Sequence, residues 1–203
     1  MNWIILLQNI WHVIYVFSYF IPIIFLHELG HFIAAKLCHC GVDVVSIGFG
    51  KPIYRKEIGR VIFQISPWLL GGYCKLKNEL CNSNERDSFT NLSYTKKVII
   101  TTAGVIINII TGYITFFIGN RILNIPLIFF GCASISAGMV NLLPIPALDG
   151  SYLVLVWLEK FYGKEKGYSL MEKICRIGFI VVMGLNIISL PYAIYLIIHG
   201  YLI

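Results

Sequence analysis

Apolar residues run almost unbroken through four stretches, Met1 to Leu26, Val98 to Asn120, Ile122 to Leu148 and Ile177 to Ile203, and none of these holds a Lys, Arg, Asp or Glu. Each is long enough for the ~20 residues that a membrane-spanning helix needs. The pattern predicts an α-helical polytopic membrane protein with four transmembrane helices, at about 5–37, 97–119, 123–143 and 174–199. The first continues through a pair of histidines to Leu37.

Between the first two spans the pattern changes. Val42 to Phe49 and Pro52 to Ser66 are rich in β-branched and aromatic residues, punctuated by Gly48-Phe49-Gly50 and by Gly59-Arg60. They predict short strands with tight turns, a β region at about 42–76. A sheet at membrane depth must be buried in protein or line a cavity, because an unpaired edge cannot face lipid. Pro67 to Tyr73 continues it as an apolar loop, expected to be re-entrant. An exposed sheet edge offers a place for an extended peptide to add as a strand, and a hairpin packed on the bundle is the structural alternative. Asn78 to Lys97 is polar, with Glu79, Asn82, Ser83, Asn84, Glu85, Arg86 and Asp87, and reads as a solvated linker. Gly119 to Ile125 is a tight connection with no room for an inserted domain. The expectation is one domain over residues 1–203, with no PDZ or CBS domain.

Composition agrees. With 58% hydrophobic residues, 13% charged and a mean hydropathy of +0.78, a soluble globular domain is excluded. Of the sixteen Lys and Arg residues, ten lie between Lys36 and Lys97, five between Lys160 and Arg176, and one, Arg121, between the second and third spans. By the positive-inside rule both basic segments face the cytoplasm and both termini face outward. The net charge of +6 is thus a topological signature, and no nucleic-acid partner is expected. The N-terminus lacks a basic start and a cleavage site, so it is expected to stay attached as the first span. The six cysteines sit mostly in or beside the cytoplasmic segments, where thiols stay reduced. Cys38-His39-Cys40 is a candidate second metal site, although no matching pair follows at zinc-finger spacing.

The chemistry concentrates at His27-Glu28-Leu29-Gly30-His31. On a helix, imidazoles four residues apart share a face and can share a metal, and Glu28 can reach a bound water without being a ligand. That is the arrangement of a zinc hydrolase. Ionisable groups inside an apolar span are costly and point to function or pairing. A catalytic zinc site needs a third ligand. His12 lies about four turns away on the same helix, His199 near the opposite face, and His39 at the helix's far end. That leaves Asp149, in Asn141-Leu142-Leu143-Pro144-Ile145-Pro146-Ala147-Leu148-Asp149-Gly150. Its prolines interrupt the third span and present an acid at cytoplasmic depth. The alternative is that Asp149 caps a helix beginning near Ser151.

These residues carry a resemblance. The chain resembles the site-2 protease family of intramembrane zinc metalloproteases, and most closely the bacterial regulator-of-sigma-E protease branch. The matches are HELGH, then Ser46-Ile47-Gly48-Phe49-Gly50-Lys51, Leu70-Gly71-Gly72-Tyr73-Cys74-Lys75, Ala103-Gly104 with Asn108, and NLLPIPALDG, in that order. The resemblance implies zinc held by His27, His31 and Asp149, with Glu28 as catalytic base. It also implies that Asn108 and Asn141 hold the substrate, and that the Gly48 region and the Gly71-Gly72-Tyr73 loop receive it as an extended strand. The implied partners are a transmembrane protein or peptide substrate, the lipid bilayer and a possible regulatory membrane partner. The implied setting is a bacterial cell membrane, and the charge distribution places the His27-to-His31 motif in its cytoplasmic half. Departures are Val105, where the family commonly has proline, Ser151-Tyr152, where this branch tends to have a further glycine, and the missing PDZ insert. The expected reaction is hydrolysis of a peptide bond in or beside a transmembrane segment, as in regulated intramembrane proteolysis or the processing of a signal peptide or pro-peptide. A zinc-binding membrane transporter and a non-catalytic membrane adaptor are the alternatives.

Overall fold

The computed structural model describes residues 3–79, 85–145, 148–163, 165–167 and 169–178, with 180, 181, 184 and 195 besides. Helix α1 runs Trp3–Leu37. It ends where His39 turns the chain at φ 60° and the Cys40 N–H returns to the Ala35 carbonyl at 2.8 Å, a left-handed C-terminal stop. Strands β1 (Val42–Phe49), β2 (Tyr54–Ile58), β3 (Val61–Ile65) and β4 (Trp68–Leu76) follow. Next come α2 (Tyr94–Arg121), α3 (Ile125–Asn141) and α4 (Gly150–Tyr162). The stretch from Ser18 to Leu37 and the whole of α2 are long and apolar enough to cross a membrane, and α3 is a shorter apolar helix. The fourth expected span lies mostly outside the described residues.

The strands form one sheet in the order β2-β3-β1-β4, with β1 parallel to β3 and antiparallel to β4. The Gly59-Arg60 turn joins β2 to β3, with Gly59 at φ 66° and Ile58 paired to Val61, which is a two-residue hairpin. Pro67 to Tyr73 is not a re-entrant loop: from Trp68 onward it is β4, held by pairing to β1 through Ser46↔Tyr73 and Ile47↔Gly72. The sheet packs on α1 through Phe32 and Phe63, edge to face at 5.5 Å, and through a core that includes Ala35, Val45 and Val61.

Helices α2 and α3 form a hairpin closed by three residues, Ile122 to Asn124. Asn124 caps α3 by accepting the Leu127 N–H at 2.9 Å. Where the two helices cross, a Cβ on Gly112 would meet the Gly131 carbonyl oxygen at 2.8 Å, and one on Gly131 would meet that of Gly112 at the same distance. Small residues at a crossing let apolar helices approach backbone to backbone. Helix α2 runs unbroken through Val105, where a proline would remove a helical hydrogen bond.

The linker is less solvated than its composition suggests. Phe89 and Thr90 are buried in a single 3-10 turn, Phe89–Asn91, with Ser88 buried at its N-cap, and α2 already begins at Tyr94. Lys97, expected in the basic loop, is instead buried on α2, with its Nζ 2.7 Å from the Glu159 carboxylate of α4 and facing the Phe89 and Tyr94 rings. Removing one partner strands a buried charge, so Lys97→Met alone should cost about 3–5 kcal/mol. Lys97→Met with Glu159→Leu should regain most of it. Urea unfolding of the detergent-solubilised chain would measure both, and a single mutant as stable as wild type would contradict the buried pair.

Candidate metal and catalytic site

The site forms where α1 crosses α2 beneath the sheet. Gly30 makes the crossing possible, because a Cβ there would lie 2.8 Å from the Ala103 carbonyl oxygen and 2.9 Å from the Gly104 Cα. On the other side, a Cβ on Gly104 would lie 2.8 Å from the His27 carbonyl oxygen and collide with the His31 ring nitrogen Nε2. His27, Glu28 and His31 are all buried at this crossing. His31 Nδ1 donates to the Ile100 carbonyl at 2.8 Å. A carbonyl only accepts, so the neutral ring carries its lone pair on Nε2, facing into the site.

Asp149 arrives from the turn between α3 and α4. That turn is so close that a Cβ on Gly150 would collide with the Leu142 and Leu143 carbonyl oxygens. Asp149 stands at the N-cap position of α4 but makes no side-chain capping bond. Its carboxylate is turned the other way: Oδ2 lies 2.8 Å from His27 Nε2 and 3.2 Å from His31 Nε2. The two Nε2 atoms are 3.2 Å apart. The alternative of Asp149 as a simple helix cap therefore fails, because the carboxylate is committed to the imidazoles. Ligand atoms from His27, His31 and Asp149 all lie within 4.8 Å of one another, the only such group of three among the described residues. The donor set suits a divalent transition metal: two imidazole nitrogens and one carboxylate oxygen, converging and mostly buried, with the His31 lone pair already directed inward.

A cavity of about 440 Å³ opens on this cluster, lined among others by Glu28, His31, Gly72, Tyr73, Asp149 and Glu79. Glu28 meets the sheet at Gly72, where a Cβ would lie 2.9 Å from the Glu28 Cγ and 2.7 Å from the Ser46 carbonyl oxygen. A glycine lets β4 lie directly over Glu28. Tyr73, next along, accepts from Gln64 Nε2 at 2.9 Å and stacks on Phe49 at 6.1 Å, and Gly71 packs against that same Phe49 ring.

The other expected positions divide. Asn141 Nδ2 sits 3.3 Å from His27 Nε2 and is only partly buried. Asn108 is not on the cavity wall: it is buried behind His27, with Nδ2 3.3 Å from His27 Nδ1. Gly48 falls at the register shift of β1 between Ile47 and Phe49, with φ 87° and its carbonyl accepting from Ser46 Oγ at 2.9 Å. β4 is the edge strand on the cavity side.

Two cavity residues, Glu79 and Tyr152, were not among the expected site residues. Glu79 accepts a hydrogen bond from the Tyr152 hydroxyl. Burial raises the Glu79 pKa against the opposing pull of that bond. Tyr152, where the resemblance expected a small residue, also meets Phe89 edge to face at 6.3 Å. The Cys38-His39-Cys40 candidate does not form a centre. Cys38 and Cys40 are buried in the hydrophobic core and His39 is exposed. Burial, with help from Glu79 and Asp87, pushes the Cys40 thiol up to about 12, so it stays protonated.

The chain matches the sequence model of Peptidase family M50 over residues 15–124 and 119–185. The chain belongs to peptidase family M50. Among its relatives, a Borreliella burgdorferi protein described as "Putative zinc metalloprotease" is 43% identical over 104 residues, which are 46% of this chain and 24% of that protein. A Campylobacter jejuni protein of the same description is 40% identical over 108 residues, 50% of this chain and 29% of that one. The M50 chain is thus aligned to less than a third of either relative. In fold it is similar to the Site-2 Protease from Methanocaldococcus jannaschii, with a TM-score of 0.54 and 18% identity over 96% of this chain and 83% of that one.

Proposed function

We propose that this M50 chain is an intramembrane zinc metalloprotease that cuts peptide bonds in or near the transmembrane segments of membrane-protein substrates. The observation that carries the reading is Glu28, buried on the cavity that His31 and Asp149 also line, beside the convergent group of His27, His31 and Asp149. A zinc carrier needs the three ligands but has no use for a fourth, non-ligating carboxylate beside them. In this reading His27, His31 and Asp149 hold zinc. Bound there, zinc supplies a Lewis acid that polarises the scissile carbonyl and acidifies water. Glu28 takes a proton from the attacking water and later delivers it to the leaving amine nitrogen. Asn141, at the rim of the cluster, faces the substrate backbone.

A helical substrate hides its peptide bonds in its own hydrogen bonds and must first be unwound. The β4 edge at Gly71, Gly72 and Tyr73 offers the replacement pairing, laying an extended segment across Glu28. The membrane arrangement proposed is four spans with both termini outside and the site in the cytoplasmic half, drawn from the charge distribution.

The test is cleavage of a single-span substrate by the purified chain in liposomes, before and after chelation and with zinc restored. Cleavage that stops on chelation and returns with zinc supports the reading. Zinc transport across the bilayer without any cleavage would replace it with a transporter.

A further inference from the structure

Asn108 holds an unpaired oxygen in the most buried part of the site. Its side chain is 1% exposed, and Oδ1 is the one buried side-chain polar atom without a hydrogen-bond partner among the described residues. Such an atom costs free energy and asks for an explanation. The rest of the residue is well fixed: its backbone carbonyl accepts from Ser134 Oγ at 2.9 Å, and Gly138 of α3 packs against its Cβ.

The two imidazoles of the cluster are held differently. The His31 Nδ1–H is tied to the Ile100 carbonyl, an immovable acceptor that leaves one tautomer. Among the described residues His27 Nδ1 has one hydrogen-bonding neighbour, the Asn108 amide, at 3.3 Å from Nδ2. A neutral imidazole has a single ring hydrogen. If it sits on Nε2, it points to Asp149 Oδ2 at 2.8 Å, and Nδ1 accepts from the amide N–H. If it sits on Nδ1, the Nε2 lone pair is free for a cation, and Nδ1–H needs an acceptor. A half-turn of the amide places Oδ1 there within the same volume, and the NH2 takes the place that Oδ1 leaves.

We propose that Asn108 is a positioning residue for the metal site. When zinc is bound, its amide oxygen accepts the His27 Nδ1–H, fixing the tautomer and ring angle that direct Nε2 to the metal. Asn108 thus does for His27, with a side chain, what the Ile100 carbonyl does for His31. It acts through His27 rather than on substrate. The proposal rests on the zinc reading above and adds to it a residue that shapes metal affinity.

The experiment measures zinc affinity of the full chain in detergent by competition with a chromogenic chelator, for wild type, His27→Ala, Asn108→Leu and Asn108→Asp. Partners that orient a metal-ligating histidine are worth roughly 10–100-fold in affinity. Asn108→Leu, which removes the acceptor, is expected to lose that much. Asn108→Asp, which keeps an oxygen in the same shape, is expected to match or exceed wild type. Wild-type affinity in Asn108→Leu overturns the proposal. If that variant does not fold, Asn108→Asp decides alone, and a tenfold loss there overturns it. Zinc bound by wild type no better than by His27→Ala would overturn the zinc reading itself, an outcome distinct from failure of the Asn108 variants alone.

Discussion

Glu28→Gln should abolish most proteolysis while leaving zinc in place. Glutamine keeps the size of the side chain and its fit beneath Gly72, where a Cβ on the strand would come within 2.9 Å of the Glu28 Cγ. What it loses is the ability to accept a proton from water. A positioned general base contributes about 10²–10⁴-fold, so cleavage should fall by that much. Zinc content should not follow, because Glu28 is rotated about 100° round α1 from His27 and is not among the convergent ligands. Metal analysis beside single-turnover cleavage separates the two quantities. A mutant that cuts at the wild-type rate would remove Glu28 from the mechanism. A mutant that loses zinc as well would make it a ligand, and the division of roles drawn here would have to be redrawn.

The parts of this site that could be read from sequence are those whose signal is local. His27 and His31 share a face because a helix repeats every 3.6 residues, and Gly59-Arg60 announces a tight turn between two stretches rich in β-branched and aromatic residues. The parts that could not be read are those decided by distant partners. Trp68 to Gly72 neither alternates nor repeats, and it is a strand only because β1 supplies its hydrogen bonds. Glu79 sits in a polar run and reads as solvated, yet Tyr152 of α4 reaches it inside the cavity. Lys97 counts as a loop cation until Glu159 is seen opposite. Asp149 had two local readings, cap and ligand, and only the direction of its carboxylate chooses between them. Asn108 is placed by the same helix face that carries Gly104, one turn away. Its neighbour, His27, belongs to a helix 81 residues earlier in the chain.

Gly104→Val should destroy the metal site without unfolding the helical hairpin. At Gly104 even a single added carbon collides with His31 Nε2, the atom assigned to the metal, and lies 2.8 Å from the His27 carbonyl oxygen. Neither obstacle can yield cheaply. His31 is tied to Ile100 on the same helix that carries the new side chain, and the His27 carbonyl is part of the α1 backbone. Helix α1 must therefore move away from α2, carrying both imidazoles from Asp149. A displacement of about 1 Å in a reacting constellation can cost 10²-fold in rate, so cleavage should drop at least that far, with zinc affinity falling beside it. Gly119→Val is the matched control. Its Cβ would crowd Ile128 of α3 at 2.8 Å, so it too strains a helix crossing, but about 22 Å along α2 from Gly104. It should lower thermal stability yet bind zinc as wild type does. Zinc retained at full affinity in Gly104→Val, or lost equally in both variants, would mean that the α1–α2 crossing does not set the geometry of the metal site.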